Sequence, residues 1–168
     1  SKGLTGGFLP MGATLCTPDI YDAFYDQDRS KTFFHSTSFT GNPLACAAAN
    51  ASLDLWQNKD VFGQINEISK HQEQAAHYFD ARDEVTAVRQ HGTLLAIDAK
   101  NDETGYLSHI GPKLYDLCLS QNVLLRPIGE TLYVLPPYCV TKDDLEKIYD
   151  CINFALHHLR DDQKQRAA

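Results

Sequence analysis

The spacing of the apolar residues changes near Asp83, and this change constrains the fold more than any other feature of the sequence. Before Asp83 the apolar residues recur with a helical period, which predicts two helices. The first opens at residues 42–43 (NP), because asparagine caps helices and proline suits their first turn, and it runs to about Gln57. The second follows Asp60 and keeps an apolar stripe as far as Phe79.

Beyond Asp83 the pattern is typical of strands separated by turns. Residues 85–89 and 93–99 are predicted to pair around a turn at His91-Gly92. Residues 123–126 and 131–135 are predicted to form a second pair. These segments predict an α+β unit with a small, largely antiparallel sheet covered by helices.

Two further helices are predicted in this unit. One spans roughly residues 107–121. The other follows Thr141-Lys142-Asp143-Asp144, which resembles a capping box, and its apolar stripe continues to Leu159. The sheet is therefore expected to be covered by helices from both halves of the chain.

The beginning of the chain is predicted to be strand, loop and helix. Residues 12–17 include a short β-prone run, and Thr17 is predicted to cap a helix that begins at Pro18. We therefore predict two regions, residues 1–57 and residues 58–168. The first is expected to pack on something outside itself.

Composition excludes several classes of function. The chain has fifteen Lys and Arg residues against twenty-two Asp and Glu residues, and no basic stripe interleaved with aromatics, which argues against nucleic-acid binding. No apolar run is long enough to span a bilayer. The five cysteines are odd in number and lack C-x-x-C spacing, so we interpret them as reduced thiols of a cytoplasmic protein, without a zinc site.

Lys2 is the most informative residue for function, because it lies in residues 1–10 (SKGLTGGFLP), next to a cluster of glycines. A lysine amine held by a tight backbone can form a Schiff base with an aldehyde cofactor. By itself the pattern is more typical of a solvated turn. A functional lysine is not expected at a frayed terminus, so we expect the chain to be the C-terminal part of a longer enzyme.

Two other segments follow Lys2 in a fixed order. They are residues 33–49 (FFHSTSFTGNPLACAAA) and residues 124–138 (LLRPIGETLYVLPPY). Together the three segments resemble the class III, fold-type I aminotransferases, which use pyridoxal 5'-phosphate (PLP), and the resemblance extends to about Leu159. It implies an α/β chain, in which residues 1–57 are the end of the large PLP-binding domain with the interdomain helix. Residues 58–168 would be the small C-terminal α+β domain.

The resemblance implies roles for the residues near the cofactor. Lys2 would form the Schiff base and transfer the proton during transamination. Ser38, with Thr37, would contact the phosphate of the cofactor in the partner subunit, which implies a homodimer with shared active sites. Gly3 and Ser36 would lie against the substrate, and Ser36 replaces a glycine that is usual in the family. From the residues alone, residues 36–38 are also compatible with an ordinary polar loop.

Arg126 is the candidate anchor for a substrate carboxylate, because a guanidinium matches a carboxylate with two parallel hydrogen bonds. We expect it to end an apolar strand and to be buried, so that a substrate acid would be its partner. A structural salt bridge explains the pattern equally well. The resemblance implies that Arg126 binds 8-amino-7-oxononanoate and that Tyr133 lines the same pocket, although Tyr133 also fits simple strand packing.

The resemblance favours the biotin-pathway branch of the family, with S-adenosylmethionine or lysine as amino donor. The alternatives are another class III ω-aminotransferase, of the ω-amino acid:pyruvate or ornithine type, a dialkylglycine decarboxylase, or a non-catalytic dimerisation module. The residues that bind the cofactor ring lie upstream of the lysine in this family. We therefore expect the segment to be inactive alone.

Overall fold

The computed structural model describes residues 2–101 and 108–167, with side chains as far as residue 161. The chain divides into two compact units, Ser1–Asp60 and Val61–Ala168. This boundary lies three residues beyond the one predicted from the sequence. The assignment of the units to the domains of a larger enzyme stays a prediction.

The first unit is built from short helices and one long one. Its elements are α1 (Lys2–Thr5), α2 (Pro18–Asp22), a 3₁₀ turn (Arg29–Lys31) and α3 (Pro43–Asn58). The predicted cap of α3 is confirmed, because the Leu44 amide donates a 3.0 Å hydrogen bond to Asn42 Oδ1. Helix α1 packs on α3, and Thr5, Ala45 and Ala49 are buried.

One prediction for the first unit is wrong, and another is confirmed in position only. Residues 12–17 form no strand, because no strand in the described part of this unit offers them a hydrogen-bonding ladder, and Leu15 is exposed. Thr17 does occupy the N-cap position of α2, with Pro18 after it. Its side chain, however, makes no capping hydrogen bond.

The second unit is a three-stranded antiparallel sheet with helices, as predicted. Its elements are α4 (Val61–Asp80), β1 (Val85–His91), β2 (Leu94–Ala99), α5 (Ile110–Ser120), β3 (Thr131–Val134) and α6 (Lys142–Ala167). The strands lie in the order β1-β2-β3. Gly92 takes a φ of 55° in the turn between β1 and β2, a conformation that glycine adopts without strain.

The hydrophobic core of this unit combines apolar side chains from the sheet and three helices. Its fully buried members include Phe79, Leu95, Ile97, Leu114, Leu132, Ile152 and Leu156. The predicted capping box before α6 is confirmed. The amide of Thr141 donates to Asp144 Oδ2 at 3.1 Å, and the amide of Asp144 donates to Thr141 Oγ1 at 3.2 Å.

The prediction of a strand at residues 123–126 is wrong. Val123 and Leu125 are buried while Leu124 and Arg126 are exposed, so the side chains do alternate. The segment nevertheless joins no ladder, since β3 pairs with β2 and only Ile128 bridges to Thr131. Helix α5 was predicted from residue 107, which lies outside the described residues. Within the described residues no helix is both long and apolar enough to cross a membrane.

Candidate active site

Lys2 is the first residue of α1, and the glycines predicted to shape its backbone end that helix. Gly6 and Gly7 have φ angles of 62° and 81°, and the Gly7 amide donates a 3.0 Å hydrogen bond to the Lys2 carbonyl oxygen. A helix commonly ends with glycine in this left-handed conformation. Helix α1 is therefore a single turn, and the Gly7 amide holds the carbonyl oxygen of Lys2 in place.

The side chain of Lys2 is exposed, and its Nζ has no hydrogen-bond or ion-pair partner in the described part of the chain. Gly3 beside it is open, because nothing lies within 4 Å of the position that a Cβ would take. Buried Thr5 holds the following turn, with its hydroxyl donating to the Leu9 carbonyl oxygen at 2.6 Å. The exposed amine of Lys2 is thus next to the open backbone at Gly3.

The three predicted residues of the polar loop differ in their hydrogen bonding. Thr37 is bonded locally, because its amide donates to Thr40 Oγ1 at 3.0 Å and the two hydroxyls are 3.3 Å apart. Ser36 and Ser38 are exposed, and their hydroxyls have no partner among residues 2–101 and 108–161. Ser38 is therefore free to bind a ligand oxygen.

A cleft of about 570 Å³ lies in the first unit. It takes in Thr37 but not Lys2, Gly3, Ser36 or Ser38. Its lining is Pro10, Met11, Gly12, Thr37, Phe39, Thr40, Gly41, Asn42, Ala45 and Cys46. The sequence reasoning missed Thr40, for which the only signal was a second hydroxyl three residues after Thr37.

The second unit holds a cleft of about 550 Å³, and this cleft brings Arg126 and Tyr133 together. Its other lining residues come from α5, the segment before it, and the turn after Arg126. They are Ser108, Gly111, Pro112, Tyr115, Pro127, Ile128 and Gly129. The sequence reasoning missed the α5 wall, although the spacing of residues 108, 111, 112 and 115 places them on one helical face.

Arg126 does not have the predicted burial. It is exposed, because residues 123–126 alternate and Val123 and Leu125 take the core positions. It makes no salt bridge with any described residue. Tyr133 is half-buried, and its hydroxyl likewise lacks a partner in the described structure.

Arg89 pairs with an acidic residue of the neighbouring strand. Its two terminal nitrogens donate to the two carboxylate oxygens of Asp98 at 2.6 and 2.7 Å, and Thr131 donates to the same carboxylate at 2.7 Å. The Arg89 hydrogen bonds hold the pKa of Asp98 below its usual range. Arg126, and not Arg89, is therefore the arginine available to a ligand.

The described residues contain no group of three or more His, Cys, Asp or Glu side chains arranged to hold a metal ion. All five cysteines are free thiols. Cys118 and Cys151 are buried, and the Cys151 thiol donates to the Cys118 carbonyl oxygen at 3.8 Å. These two thiols belong to the core between α5 and α6.

The fold is that of the C-terminal portion of a fold-type I PLP-dependent transaminase. The crystal structure of adenosylmethionine-8-amino-7-oxononanoate aminotransferase from Methanocaldococcus jannaschii superposes with a TM-score of 0.77 at 28% identity, covering 92% of this chain and 37% of that one. The family model for aminotransferase class-III matches residues 1–156. The chain belongs to the class III aminotransferase family.

Sequence relatives agree with this assignment. The adenosylmethionine-8-amino-7-oxononanoate aminotransferase of Synechococcus elongatus is 40% identical over 152 residues, which are 90% of this chain and 35% of the relative. The enzyme of the same name from Geobacter sulfurreducens is 35% identical over 164 residues, covering 94% of this chain and 36% of the relative. The chain thus spans about a third of the length of these relatives.

Pyridoxal phosphate is the cofactor of this family, and the residues of the first unit fit it chemically. A Schiff base with its aldehyde needs an uncommitted primary amine, which Lys2 supplies. Its phosphate needs hydrogen-bond donors, which the free hydroxyl of Ser38 and the loop before α3 supply. Lys2, Thr37 and Ser38 are the residues that would hold it.

Proposed function

We propose that this chain carries part of the active site of an enzyme of biotin biosynthesis, which converts 8-amino-7-oxononanoate to 7,8-diaminononanoate. The amino donor would be S-adenosylmethionine or lysine. The observation that carries the proposal is Arg126, which makes no salt bridge with a described residue and lies in a cleft whose described lining contains no acidic side chain. The names of the relatives support the same substrate.

Lys2 has two roles in this proposal. Its Nζ would hold the cofactor in the resting enzyme. Once the incoming amine has displaced it, the free amine would take a proton from the substrate carbon that bears the amino group and later give that proton back. When bound, pyridoxal phosphate supplies the electron sink for this proton transfer. The open backbone at Gly3 leaves room for the substrate beside the amine, and Ser36 would border the same space.

Arg126 and Tyr133 bind the carboxylate at the far end of the keto acid. The guanidinium donates two parallel hydrogen bonds and the Tyr133 hydroxyl a third. The carboxylate is bound far from the reacting carbon of the substrate. This contact therefore sets where the long, flexible substrate places that carbon. This orientation lowers the entropic cost of the reaction.

Ser38, assisted by Thr37, would contact the phosphate of a cofactor bound in the neighbouring subunit, so the active enzyme would be a homodimer. Large apolar side chains are exposed in the first unit, including Phe8 at 88%, Leu15 at 94% and Phe34 at 79%. Such side chains would be covered by the rest of the large domain or by the partner subunit.

The two units would have different places in the whole enzyme. Residues 1–57 would complete the large PLP-binding domain with the interdomain helix, and residues 58–168 would form the small C-terminal domain. We expect the segment to be inactive alone, since it spans about a third of the length of its relatives. The buried free thiols of Cys118 and Cys151 favour a cytoplasmic location.

The cofactor role is tested by adding pyridoxal phosphate to the full-length enzyme, reducing with borohydride and mapping the adduct by mass spectrometry. We expect the label on Lys2. The Lys2→Ala variant should lose the label, while Lys31→Ala, which removes an exposed lysine of the same unit, should keep it. A label on another lysine would contradict the assignment.

The substrate is tested with a panel of amine donors and keto acceptors. Transfer to 8-amino-7-oxononanoate is expected, with ping-pong kinetics because the two half-reactions share one site. A full-length enzyme that transfers only to pyruvate or a similar short acceptor would support an ω-aminotransferase instead. An enzyme that is fully active as a monomer would contradict the shared site at Ser38.

A further inference from the structure

The cleft around Arg126 has a second wall that the proposed function does not use. This wall is the face of α5 that carries Gly111, Pro112 and Tyr115, with Ser108 just before the helix. Arg126 and Tyr133 belong to the opposite wall, which is formed by residues 126–133. A ligand held by Arg126 therefore lies between two elements that approach it from different directions.

The polar side chains of the cleft differ in whether they are already hydrogen-bonded. The Ser108 hydroxyl is committed, because it accepts hydrogen bonds from the Ile110 amide and from Asn101 Nδ2, each at 3.4 Å. Tyr115 resembles Tyr133 instead, since its hydroxyl has no partner among the described side chains and backbone groups. The cleft thus offers three uncommitted donors, from Arg126, Tyr133 and Tyr115.

The number of donors matches the capacity of one carboxylate. An ionised carboxylate has about four lone-pair sites, and a bidentate guanidinium occupies two of them. Two tyrosine hydroxyls would satisfy the remaining sites. The apolar parts of Pro112, Pro127 and Ile128 leave an uncharged wall for the alkyl chain that bears the acid.

We propose that Tyr115 is a further specificity-determining residue, whose hydroxyl donates a hydrogen bond to the same substrate carboxylate that Arg126 binds. This inference rests on the proposed function, because it assumes that the cleft takes an alkyl carboxylate. Helix α5 would then contribute directly to the specificity for the keto acid that accepts the amino group.

The test uses the full-length enzyme and three variants, Tyr115→Phe, Tyr115→Ala and Arg126→Gln, with Leu119→Ala as control. Leu119 is an exposed residue one turn further along α5 and lies outside the cleft. The KM values of 8-amino-7-oxononanoate and of the donor are measured separately. The inhibition constant of octanoate, which has the acid and the chain but no keto group, is also measured.

We expect Tyr115→Phe to raise the KM of the keto acid and the inhibition constant of octanoate by about tenfold, as for a lost hydrogen bond to a charged group. The kcat and the unfolding temperature should stay unchanged, and Leu119→Ala should match the unsubstituted enzyme. A merely structural role for Tyr115 would instead lower kcat or the unfolding temperature, and would overturn the inference.

The remaining outcomes separate the two proposals. If Arg126→Gln weakens acid binding and Tyr115→Phe does not, the inference about Tyr115 is wrong while the carboxylate site stands. An effect of Tyr115→Ala without one of Tyr115→Phe would also overturn it, because the ring and not the hydroxyl would then be responsible. If neither Arg126→Gln nor Tyr115→Phe changes acid binding, the carboxylate site itself is refuted.

Discussion

The backbone of α5 at Gly111 lies so close to the turn at Gly129 that a Cβ on Gly111 would stand 3.1 Å from the Gly129 carbonyl oxygen. This contact joins the two walls of the Arg126 cleft at its base. Gly129 itself has a φ of 58° and lies inside the bridge between Ile128 and Thr131, so its backbone has little freedom to move away. The absence of a side chain at residue 111 therefore sets the width of the cleft.

Gly111→Ala should widen the cleft and destabilise the fold. The added methyl group meets backbone on the turn, and overpacking of this kind costs about 1–3 kcal/mol. The better helix propensity of alanine offsets about 1 kcal/mol of this cost, so we expect a net loss of about 1 kcal/mol in the free energy of unfolding. The KM of the keto acid should rise as well.

Chemical denaturation and steady-state kinetics check this prediction. Gly12→Ala is the control for stability, because nothing lies within 4 Å of its Cβ position. It should change the free energy of unfolding by less than about 0.5 kcal/mol. An unchanged stability and KM in Gly111→Ala would show that the turn yields to the methyl group.

Arg126→Gln should raise the KM of the keto acid by about 10- to 100-fold, because hydrogen bonds to charged groups contribute about 1.5–3 kcal/mol. Arg126→Lys should recover only part of this loss, since an ammonium cannot form the two parallel hydrogen bonds of a guanidinium. Steady-state kinetics with each substrate varied in turn measure both effects. Arg29→Gln, at an exposed arginine of the first unit, should leave both KM values unchanged.

Asp98→Asn should lower the free energy of unfolding near neutral pH by about 1 kcal/mol, because it removes the charge that Arg89 and Thr131 bind. Since the pKa of Asp98 is lowered in the folded state, its contribution is present above the ordinary value of 3.8 and is lost as the pH falls below it. The difference between variant and parent should therefore shrink in acid.

Denaturation at several pH values between neutral and strongly acidic measures this difference. Asp116→Asn on exposed α5 surface is the matched control, and it should leave the free energy of unfolding near neutral pH unchanged. A constant difference between Asp98→Asn and its parent at all pH values would show that the carboxylate charge contributes nothing. Any loss of stability in Asp98→Asn would then come from the shape of the asparagine side chain and not from the lost charge.

Ser38→Ala should raise the Kd of pyridoxal phosphate by about tenfold, as expected for a lost hydrogen bond to a charged group. Thr37→Ala should have a smaller effect, because the Thr37 hydroxyl is already in contact with Thr40. Absorbance titration of the full-length apoenzyme measures both constants. Thr17→Ala, which removes an exposed hydroxyl that makes no capping bond, should bind the cofactor normally.

Local signals in the sequence were sufficient for most of the secondary structure. The asparagine cap of α3, the capping box at Thr141 and Asp144, and the turn glycine at residue 92 all depend on neighbours within a few residues. The long apolar stripes of α4 and α6 belong to the same class of signal. These features could be predicted because each is satisfied within a single element.

Strand pairing was less predictable, because a strand needs a partner as well as a pattern. Residues 123–126 alternate correctly, yet they form no ladder with β3, their predicted partner, which pairs with β2. The same placement leaves Arg126 exposed in place of the predicted burial. An alternating sequence alone does not indicate whether a segment will pair with a neighbouring strand.

The sequence by itself determined the family and the chemically distinctive side chains, because the lysine-glycine turn, the polar loop before α3 and the arginine-proline segment are ordered local motifs. Only the tertiary structure decided that Arg126, Tyr133 and Tyr115 line one cleft. Tyr115 is eleven residues before Arg126 and lies on a helix, so no local pattern relates the two side chains. The packing of α5 on the turn at Gly129, which a side chain at residue 111 would disturb, brings them together.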